Sequence, residues 1–194
     1  RSLGAYLNNP QAERDAYAGE TDNEMLLLKF TKVTDSGVER PVGVLNWYAI
    51  HPTDRGQKNT MVCGDNKGYA SQLFESAMGM DPSADETFIA AFANANAGDV
   101  SGNIEFGGIP NGTDDQAHMA KHGQQQYEKA RELLYGATEE LTGSIDFRHT
   151  HVDMTNVAIE NSNGARTWPA ALGLSFAAGS SEDSVPVPDG GIKE

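Results

Sequence analysis

The sequence predicts an α/β fold, in which a mixed β-sheet with flanking helices forms part of a larger domain. Two short apolar runs, residues 42–50 and 87–93, have the length and composition of buried strands. Helical patterns at residues 69–80 and 114–134 follow these runs along the chain. Because strands that alternate with helices are typical of this fold class, the four segments together favour it.

The amino-terminal part of the chain is predicted to contain a short helix and two strands. An Asn-Asn-Pro turn at residues 8–10 precedes a polar stretch with the composition of a short helix. Residues 25–33 (MLLLKFTKV) are predicted to form a strand, which an Asp-Ser-Gly turn at residues 35–37 closes. The next strand, residues 42–50, is almost wholly apolar, and we therefore expect it to be buried on both faces of the sheet.

The two main helices are predicted from their start and stop signals. The first follows a glycine-bracketed turn in which Asp65 or Asn66 is the predicted cap. The second is acidic at its start, where Thr113 or Asp114 is the predicted cap, and Gly136 is its predicted stop.

The carboxyl-terminal part of the chain carries two further strand candidates. Residues 144–154 alternate like an edge or half-buried strand. Residues 172–178 are the last strand candidate, and residues 180–194 are expected to form a loop.

Composition argues against several classes of function. The chain of 194 residues has a net charge of −14, which disfavours a nucleic-acid-binding surface and a basic patch for anionic lipids. Its longest apolar stretches are far shorter than the roughly 20 residues of a transmembrane helix, so none is expected. Cys63 is the only cysteine, and an intrachain disulfide or a cysteine-rich zinc module is therefore impossible.

The ends of the sequence suggest a piece of a longer protein. The chain begins at Arg1, without an initiator methionine or a signal peptide, and ends in a Pro/Gly-rich segment, residues 185–194. We therefore expect further parts of the domain on both sides of this segment.

Two predicted strands place polar residues where active sites of α/β sheets lie, at the carboxyl ends of strands. His51 follows the strand at residues 42–50, in a position that suits a metal ligand or a general base. The alternative is a partly buried histidine whose ring is hydrogen-bonded to a backbone carbonyl.

Ser101 lies in the Gly-Asp-Val-Ser-Gly-Asn segment at residues 98–103, which follows the strand at residues 87–93. Flexible glycines can project a nucleophilic hydroxyl from a tight turn, beside backbone amides that bind an oxyanion. The alternative is a turn in which Asp99 or Ser101 bonds local amides.

Two histidine pairs have weaker patterns. His118 and His122 lie four apart on the predicted helix and could chelate a metal, but the glutamate of a zincin motif is missing, and a solvated helix face is preferred. His149 and His151 share a strand face, for which a structural cross-strand role is preferred to zinc binding.

Several ordered motifs together resemble the neutral/alkaline ceramidase family. They are Ala-Tyr-Leu-Asn-Asn-Pro at residues 5–10, Asn-Trp-Tyr-Ala-Ile-His at 46–51, Gly-Asp-Asn-Lys-Gly at 64–68, Gly-Asp-Val-Ser-Gly-Asn at 98–103, Arg-His-Thr-His-Val-Asp at 148–153, and Ala-Leu-Gly-Leu-Ser-Phe-Ala-Ala-Gly at 171–179. The resemblance covers nearly the whole chain. It implies that residues 1–194 are an internal part of a longer catalytic domain, with the amino- and carboxyl-terminal parts missing.

The resemblance implies hydrolysis of the amide bond of ceramide to a fatty acid and sphingosine. The family site holds one Zn²⁺ ion bound by two histidines, a glutamate and a tyrosine, and His51 matches the second of these histidines. The other three ligands are expected outside this segment, so the isolated piece is expected to be inactive. Ser101 matches the family's catalytic nucleophile, and Arg1 matches an arginine near the active site. Whether the Ser101 hydroxyl or a water molecule attacks is left open.

Two positions differ from the family pattern. The zinc histidine is usually followed by Gly-Thr-Ser, whereas Pro-Thr-Asp-Arg occupies residues 52–55, and Gly102 stands where a proline usually follows the serine. Two alternatives therefore remain: a related hydrolase with a different N-acyl lipid substrate, and a non-catalytic lipid- or glycan-binding module.

The resemblance also indicates partners and location. A ceramide-like lipid is the expected substrate, with peripheral contact to a membrane surface and no nucleic acid. A secreted, periplasmic or extracellular location is implied by the family alone.

Overall fold

A computed structural model describes residues 7, 9–56, 59–98, 100, 102 and 114–170. These residues fall into two compact units, residues 7–138 and residues 139–170. Regular helices and strands lie in the first unit.

The first unit contains a three-stranded sheet with the strand order β1-β2-β3. Its strands are β1 (Met25–Val33), β2 (Glu39–Tyr48) and β3 (Ile89–Asn94). Strands β1 and β2 are antiparallel, with a register shift between Phe30 and Thr31. Strands β2 and β3 are parallel, with Gly43 opposite Ile89. The mixed α/β sheet predicted from the sequence is thus confirmed.

The described helices that accompany the sheet include α1 (Gln11–Arg14), α2 (Asp65–Ala77) and α3 (Asp115–Gly136). Helix α2 lies in the crossover between β2 and β3, because parallel strands need a long connection that reverses direction. Asp114 is the cap of α3, as predicted: its carboxylate accepts hydrogen bonds from the backbone amides of Gln116 and Ala117. Helix α2 has no side-chain cap and begins at Asp65, four residues earlier than predicted.

The hydrophobic core lies between α2, α3 and one face of the sheet. Phe74 of α2 is fully buried at its centre, and its ring centroid lies 5.3 Å from that of Phe88 and 5.4 Å from that of Tyr127. Val44 of β2 and Ala90 of β3 are opposite each other in the sheet and form the sheet side of the core. Burial of these aromatic and aliphatic side chains is the main source of stability for this layer.

Helices α2 and α3 approach closely at Gly123. A Cβ atom at this position would lie 2.7 Å from Cδ1 of Tyr69 and 2.8 Å from the carbonyl oxygen of Asn66. Such distances are too short for non-bonded atoms, so a glycine is required here. The contact holds the first turn of α2 against the middle of α3.

The other face of the sheet is apolar and partly exposed. Register places Leu26, Phe30 and Ile89 on this face, and their exposed fractions are 57%, 49% and 54%. Burial of β2 on both faces was predicted, and the part of the predicted strand that lies in β2 is buried or half-buried on both faces. The exposed apolar residues of this face lie on the neighbouring strands β1 and β3.

The second unit has little regular structure. The predicted strand at residues 144–154 forms no ladder, and the described residues of the unit contain one isolated bridge, between Ala158 and Arg166. Alternation alone does not make a strand, since backbone groups also need a neighbouring strand to pair with. The strand predicted at residues 172–178 and the loop predicted at residues 180–194 lie outside the described residues.

The described helices are too short or too polar to span a bilayer.

Candidate functional site

The segments that follow β2 and β3 meet at the carboxyl edge of the sheet. The backbone amide of His51 donates to the carbonyl oxygen of Val100 at 2.9 Å. The backbone amide of Ile50 donates to Oδ1 of Asn94 at 3.1 Å. Parallel strands bring their carboxyl ends to the same edge, which explains why residues about 49 positions apart are neighbours.

The His51 ring is fixed by the same carbonyl group. Nδ1 of His51 lies 2.7 Å from the carbonyl oxygen of Val100. Because a carbonyl oxygen only accepts, Nδ1 carries the proton, and the lone pair of the neutral ring is on Nε2. The backbone hydrogen bond of the ring and its suitability as a ligand are therefore compatible, and Nε2 is available to coordinate a metal.

Asp54 lies at the centre of a buried polar cluster beside His51. Its side chain has no exposed surface, and its two oxygens accept hydrogen bonds from different elements. Nδ1 of His122 on α3 lies 2.8 Å from Oδ1, and Nδ2 of Asn66 on α2 lies 2.6 Å from Oδ2. Charge-assisted hydrogen bonds of this kind offset the cost of burying a carboxylate.

Asn66 connects this carboxylate to its surroundings. Its Nδ2 also donates to the carbonyl oxygen of His51 at 3.1 Å, and its Oδ1 accepts from Nε2 of Gln126 at 3.1 Å. Since Asn66 is fully buried, its amide group fixes the loop after β2 to both helices.

Asp65 holds the loop after β2 in place. Its two carboxylate oxygens accept from the backbone amides of Asp54 at 3.0 Å and Arg55 at 2.8 Å. The φ angle of Asp65 is 53°, which is unusual for a residue other than glycine. The two hydrogen bonds to the loop stabilise this backbone conformation. Neither side chain caps α2 from the position before the helix, but Oδ1 of Asp65 accepts from the backbone amide of Asn66 within the first turn at 2.7 Å. The side chain of Asn66 binds the loop after β2 instead.

Lys67 joins the ends of the two parallel strands. Its Nζ donates to the carbonyl oxygens of Tyr48 at 2.8 Å and Ala93 at 3.1 Å. Burial lowers the pKa of Lys67 to about 8, because desolvation disfavours the ammonium form. The residue thus holds the edge of the sheet from which the site residues emerge.

A second charged contact fixes the outer part of the loop. Nη1 of Arg55 lies 3.2 Å from Oδ1 of Asp115, and the backbone amide of Gly56 donates to Oδ2 of the same carboxylate at 3.0 Å. The start of α3 is therefore attached to the segment that follows His51.

A cavity of about 240 Å³ lies beside the cluster. Its lining includes His122 and Gln126 from α3 and Met25, Tyr48 and Ile50 from the sheet and its carboxyl edge. The cavity therefore offers apolar surface next to hydrogen-bonding groups, a combination that suits an amphiphilic molecule.

The structure tests the predicted site residues unequally. His51 lies at the carboxyl edge, as expected. Ser101 and Arg1 lie outside the described residues. The described neighbours of Ser101 contact the site: Val100 binds His51, and a Cβ atom on Gly102 would lie 2.2 Å from Oδ1 of Asp54.

The two histidine pairs behave differently from each other. The rings of His118 and His122 are 6.0 Å apart, but His122 is half-buried and bound to Asp54, so the preferred solvated face is wrong for this residue. His149 and His151 are exposed, with ring centroids 4.7 Å apart, and no strand pairs with them among the described residues.

Sequence reasoning missed Asp54, Asn66, Lys67 and His122 as members of the cluster. His122 had a detectable signal, since it shares a helix face with the buried residues Gly123, Gln126, Tyr127 and Ala130. The other three are polar residues in or beside a predicted turn or loop. Polar residues are common in turns, so their presence there gave no sign of a buried cluster.

A zinc ion fits the described residues only in part. His51 offers a nitrogen lone pair and a ring held by a carbonyl, which are the usual properties of a zinc ligand. Among the described residues, no group of three or more histidine, cysteine or acidic side chains could hold a metal ion. Any further ligands would therefore come from outside the described residues.

Comparisons with known proteins agree on one family. A family model described as "Neutral/alkaline non-lysosomal ceramidase, N-terminal" matches residues 1–189. Neutral ceramidase A of Dictyostelium discoideum is 33% identical over 94% of this chain and 29% of its own length. Neutral ceramidase of Pseudomonas aeruginosa is 36% identical over 94% of this chain and 27% of its own length.

Solved structures match the fold as well. The crystal structure of neutral ceramidase from Pseudomonas aeruginosa has a TM-score of 0.67 and 32% identity, over 92% of this chain and 28% of that chain. A structure titled "Ceramidase complexed with C2" has a TM-score of 0.62 and 33% identity, over 82% of this chain and 24% of that chain. The chain spans less than a third of the length of each of these relatives.

Proposed function

Because the chain belongs to the neutral/alkaline non-lysosomal ceramidase family, we propose that it forms part of a zinc-dependent amidohydrolase that cleaves ceramide to a fatty acid and sphingosine. The observation that carries this proposal is the His51 ring at the carboxyl edge of the sheet. Its Nδ1 is bound to the carbonyl oxygen of Val100, which leaves Nε2 for a metal. The same carbonyl belongs to Val100, the residue before Ser101 in the sequence. The two proposed site residues are therefore related through one hydrogen bond.

His51 is the proposed zinc ligand of this segment. When bound, zinc supplies a Lewis acid that polarises the amide carbonyl of the substrate. The Val100 carbonyl orients the imidazole and keeps its proton on Nδ1. The remaining ligands are proposed to come from other parts of the longer protein, since catalytic zinc sites generally have three protein ligands.

Ser101 is the proposed nucleophile, and Arg1 is a proposed substrate-binding residue. A hydroxyl group needs an adjacent base or a metal to attack an amide. In the sequence Ser101 directly follows Val100, whose carbonyl oxygen contacts the His51 ring, and this supports the proposal. Backbone amides of a glycine-containing turn can stabilise the negative charge that develops on the carbonyl oxygen.

The proposal extends to the surroundings of the enzyme. A ceramide-like substrate resides in lipid, so we infer peripheral contact with a membrane surface. A secreted, periplasmic or extracellular location is part of the same proposal and is supported by the family resemblance alone.

The proposal is tested with the intact protein that contains this segment. Metal content and ceramide turnover are measured for the wild-type protein and for His51→Ala. We expect about one zinc ion per wild-type chain, and loss of both zinc and turnover in the variant, because a first ligand is removed. Chelation should abolish wild-type turnover, and added zinc should restore it.

His149→Ala is the matched control, because His149 is exposed and lies in the second unit. It should retain both zinc and turnover. A His51→Ala protein with full zinc content would contradict the ligand assignment. A zinc-loaded protein that cleaves another N-acyl amide but not ceramide would favour the related hydrolase, and one that binds lipid without cleaving it would favour the binding module.

A further inference from the structure

The Asp54 carboxylate is fully buried but has no role in the reaction proposed above. Burying an ionised carboxylate is costly unless several hydrogen bonds compensate for it. Asp54 receives one from Asn66 at 2.6 Å and one from His122 at 2.8 Å, on two different helices. Desolvation of this carboxylate lowers stability unless both hydrogen bonds are kept, so the position of Asp54 is closely fixed by the two helices.

One side of the carboxylate faces the residue that follows Ser101. Gly102 is buried, and a Cβ atom built on it would lie 2.2 Å from Oδ1 and 2.8 Å from Cγ of Asp54. The backbone at Gly102 is thus in direct contact with the carboxylate. A shift of Asp54 by even a few tenths of an ångström changes the space available to this backbone.

The other side of the network reaches the segment that contains His51. Nδ2 of Asn66 is shared between Oδ2 of Asp54 and the carbonyl oxygen of His51, at 2.6 Å and 3.1 Å. Nε2 of Gln126 donates to Oδ1 of Asn66 at 3.1 Å and closes the network onto α3. One carboxylate therefore links the His51 segment and the Gly102 backbone through two helices.

We propose that Asp54, held by His122 and Asn66, is a positioning residue that sets the distance between the His51 segment and the backbone at Gly102. The inference rests on the proposed function, because it takes His51 and Ser101 to be the groups that must be aligned. Asp54 acts through these neighbours and does not itself react. His122 supplies its Nδ1–H to the carboxylate, so that α3 determines where the carboxylate lies.

The first test replaces Asp54 by Asn in the intact protein. The amide has nearly the same shape, but its NH₂ group must face either Asn66 Nδ2, which is a donor, or His122. We expect kcat for ceramide hydrolysis to fall about 10- to 100-fold, the range typical of residues that orient a site from behind it. KM should stay unchanged, because substrate binding is not the property that alignment controls. Glu132→Gln, an exposed charge change on α3, should leave both constants unchanged.

The second test uses a matched pair at His122 and does not depend on the folding of the Asp54 variant. In His122→Asn the side-chain amide keeps an N–H near the position of Nδ1, whereas His122→Leu removes it. We expect kcat to be largely retained in His122→Asn and lowered in His122→Leu. Equal kcat values in the two variants would overturn the proposal.

An imidazole ¹⁵N spectrum separates this inference from the proposed function. It should show His122 with its proton on Nδ1 in the wild-type protein, and a changed tautomer or exchange in Asp54→Asn. An unchanged kcat in Asp54→Asn overturns the positioning role. A spectrum of the wild-type protein in which the proton of His122 lies on Nε2 alone overturns it as well. A wild-type protein that does not cleave ceramide overturns the proposed function instead, and the spectrum then still decides whether Asp54 holds His122.

Discussion

At the scale of single residues, the ionisation of Lys67 gives a prediction that can be measured as a pH dependence of stability. Its Nζ binds the carbonyl oxygens of Tyr48 and Ala93, where β2 and β3 end. Burial lowers its pKa from 10.5 to about 8, so the folded protein releases this proton before the unfolded chain does. Between these values the unfolded chain binds more protons, and the free energy of unfolding rises with pH.

We expect this dependence to disappear when Lys67 is replaced by Met. The penalty for the buried ammonium is fully present below about pH 8 and is gone above about pH 10.5, so wild-type stability should rise relative to Lys67→Met across this window. Urea unfolding of both proteins at a series of pH values measures the difference. Parallel stability curves for the two proteins would show that the pKa of Lys67 is not lowered.

Residue-scale prediction from the sequence reached His51 but not its neighbours. A histidine directly after an apolar strand lies at a sheet edge whatever the rest of the fold does, so local pattern was sufficient. The pairing of Asp54 with His122 joins residues 68 positions apart. It depends on how α3 packs against α2, which no local pattern determines.

At the scale of secondary-structure elements, the contact between α2 and α3 fixes the cluster. Gly123 allows α3 to approach the carbonyl oxygen of Asn66 and the ring of Tyr69. The aromatic contacts of Phe74 then hold the helices on the sheet. The orientation of His122 toward Asp54 therefore depends on a single small residue one position later in the helix.

Gly123→Ala should lower the free energy of unfolding by about 1–3 kcal/mol, as expected for an added methyl group in a closely packed contact. Gly68→Ala is the matched control within α2, where a Cβ atom would meet nothing within 4 Å. It should stabilise the protein by up to about 1 kcal/mol, because alanine is the better helix former. Urea unfolding measures both effects. Equal stabilities of the two variants would mean that the helices are not in close contact at Gly123.

Element prediction succeeded where local signals and tertiary contacts agree. Strand β1 has the predicted bounds, Met25–Val33, since its turn and its apolar residues are both local features. Helix α2 begins earlier than predicted because its first turn is made of buried polar residues, Asp65 to Lys67. Their side chains bind the loop after β2 and the ends of β2 and β3, contacts that no local pattern shows. Residues 144–154 form no strand. The prediction failed because an alternating pattern does not show whether a neighbouring strand is available for pairing.

At the scale of the whole molecule, the chain spans only part of the length of the relatives that it matches. It spans 29% of neutral ceramidase A of Dictyostelium discoideum, and the outer face of its sheet exposes Leu26, Phe30 and Ile89. The described residues offer no complete metal site.

We therefore expect the isolated 194-residue chain to be inactive toward ceramide. A catalytic zinc site needs about three protein ligands, and His51 is the single ligand proposed here. Ceramide turnover by the isolated chain and by the intact protein, measured side by side with added zinc, tests this expectation. Turnover by the isolated chain would require a complete site within these residues.

The most direct test of the account is the rate of ceramide hydrolysis by the intact protein carrying Ser101→Ala. Ser76→Ala, an exposed serine on α2, is the control. The account predicts that Ser101→Ala lowers kcat by orders of magnitude while thermal unfolding and zinc content stay unchanged, and that the control keeps the wild-type rate. Wild-type turnover by Ser101→Ala would contradict the proposal that Ser101 is the nucleophile of amide hydrolysis.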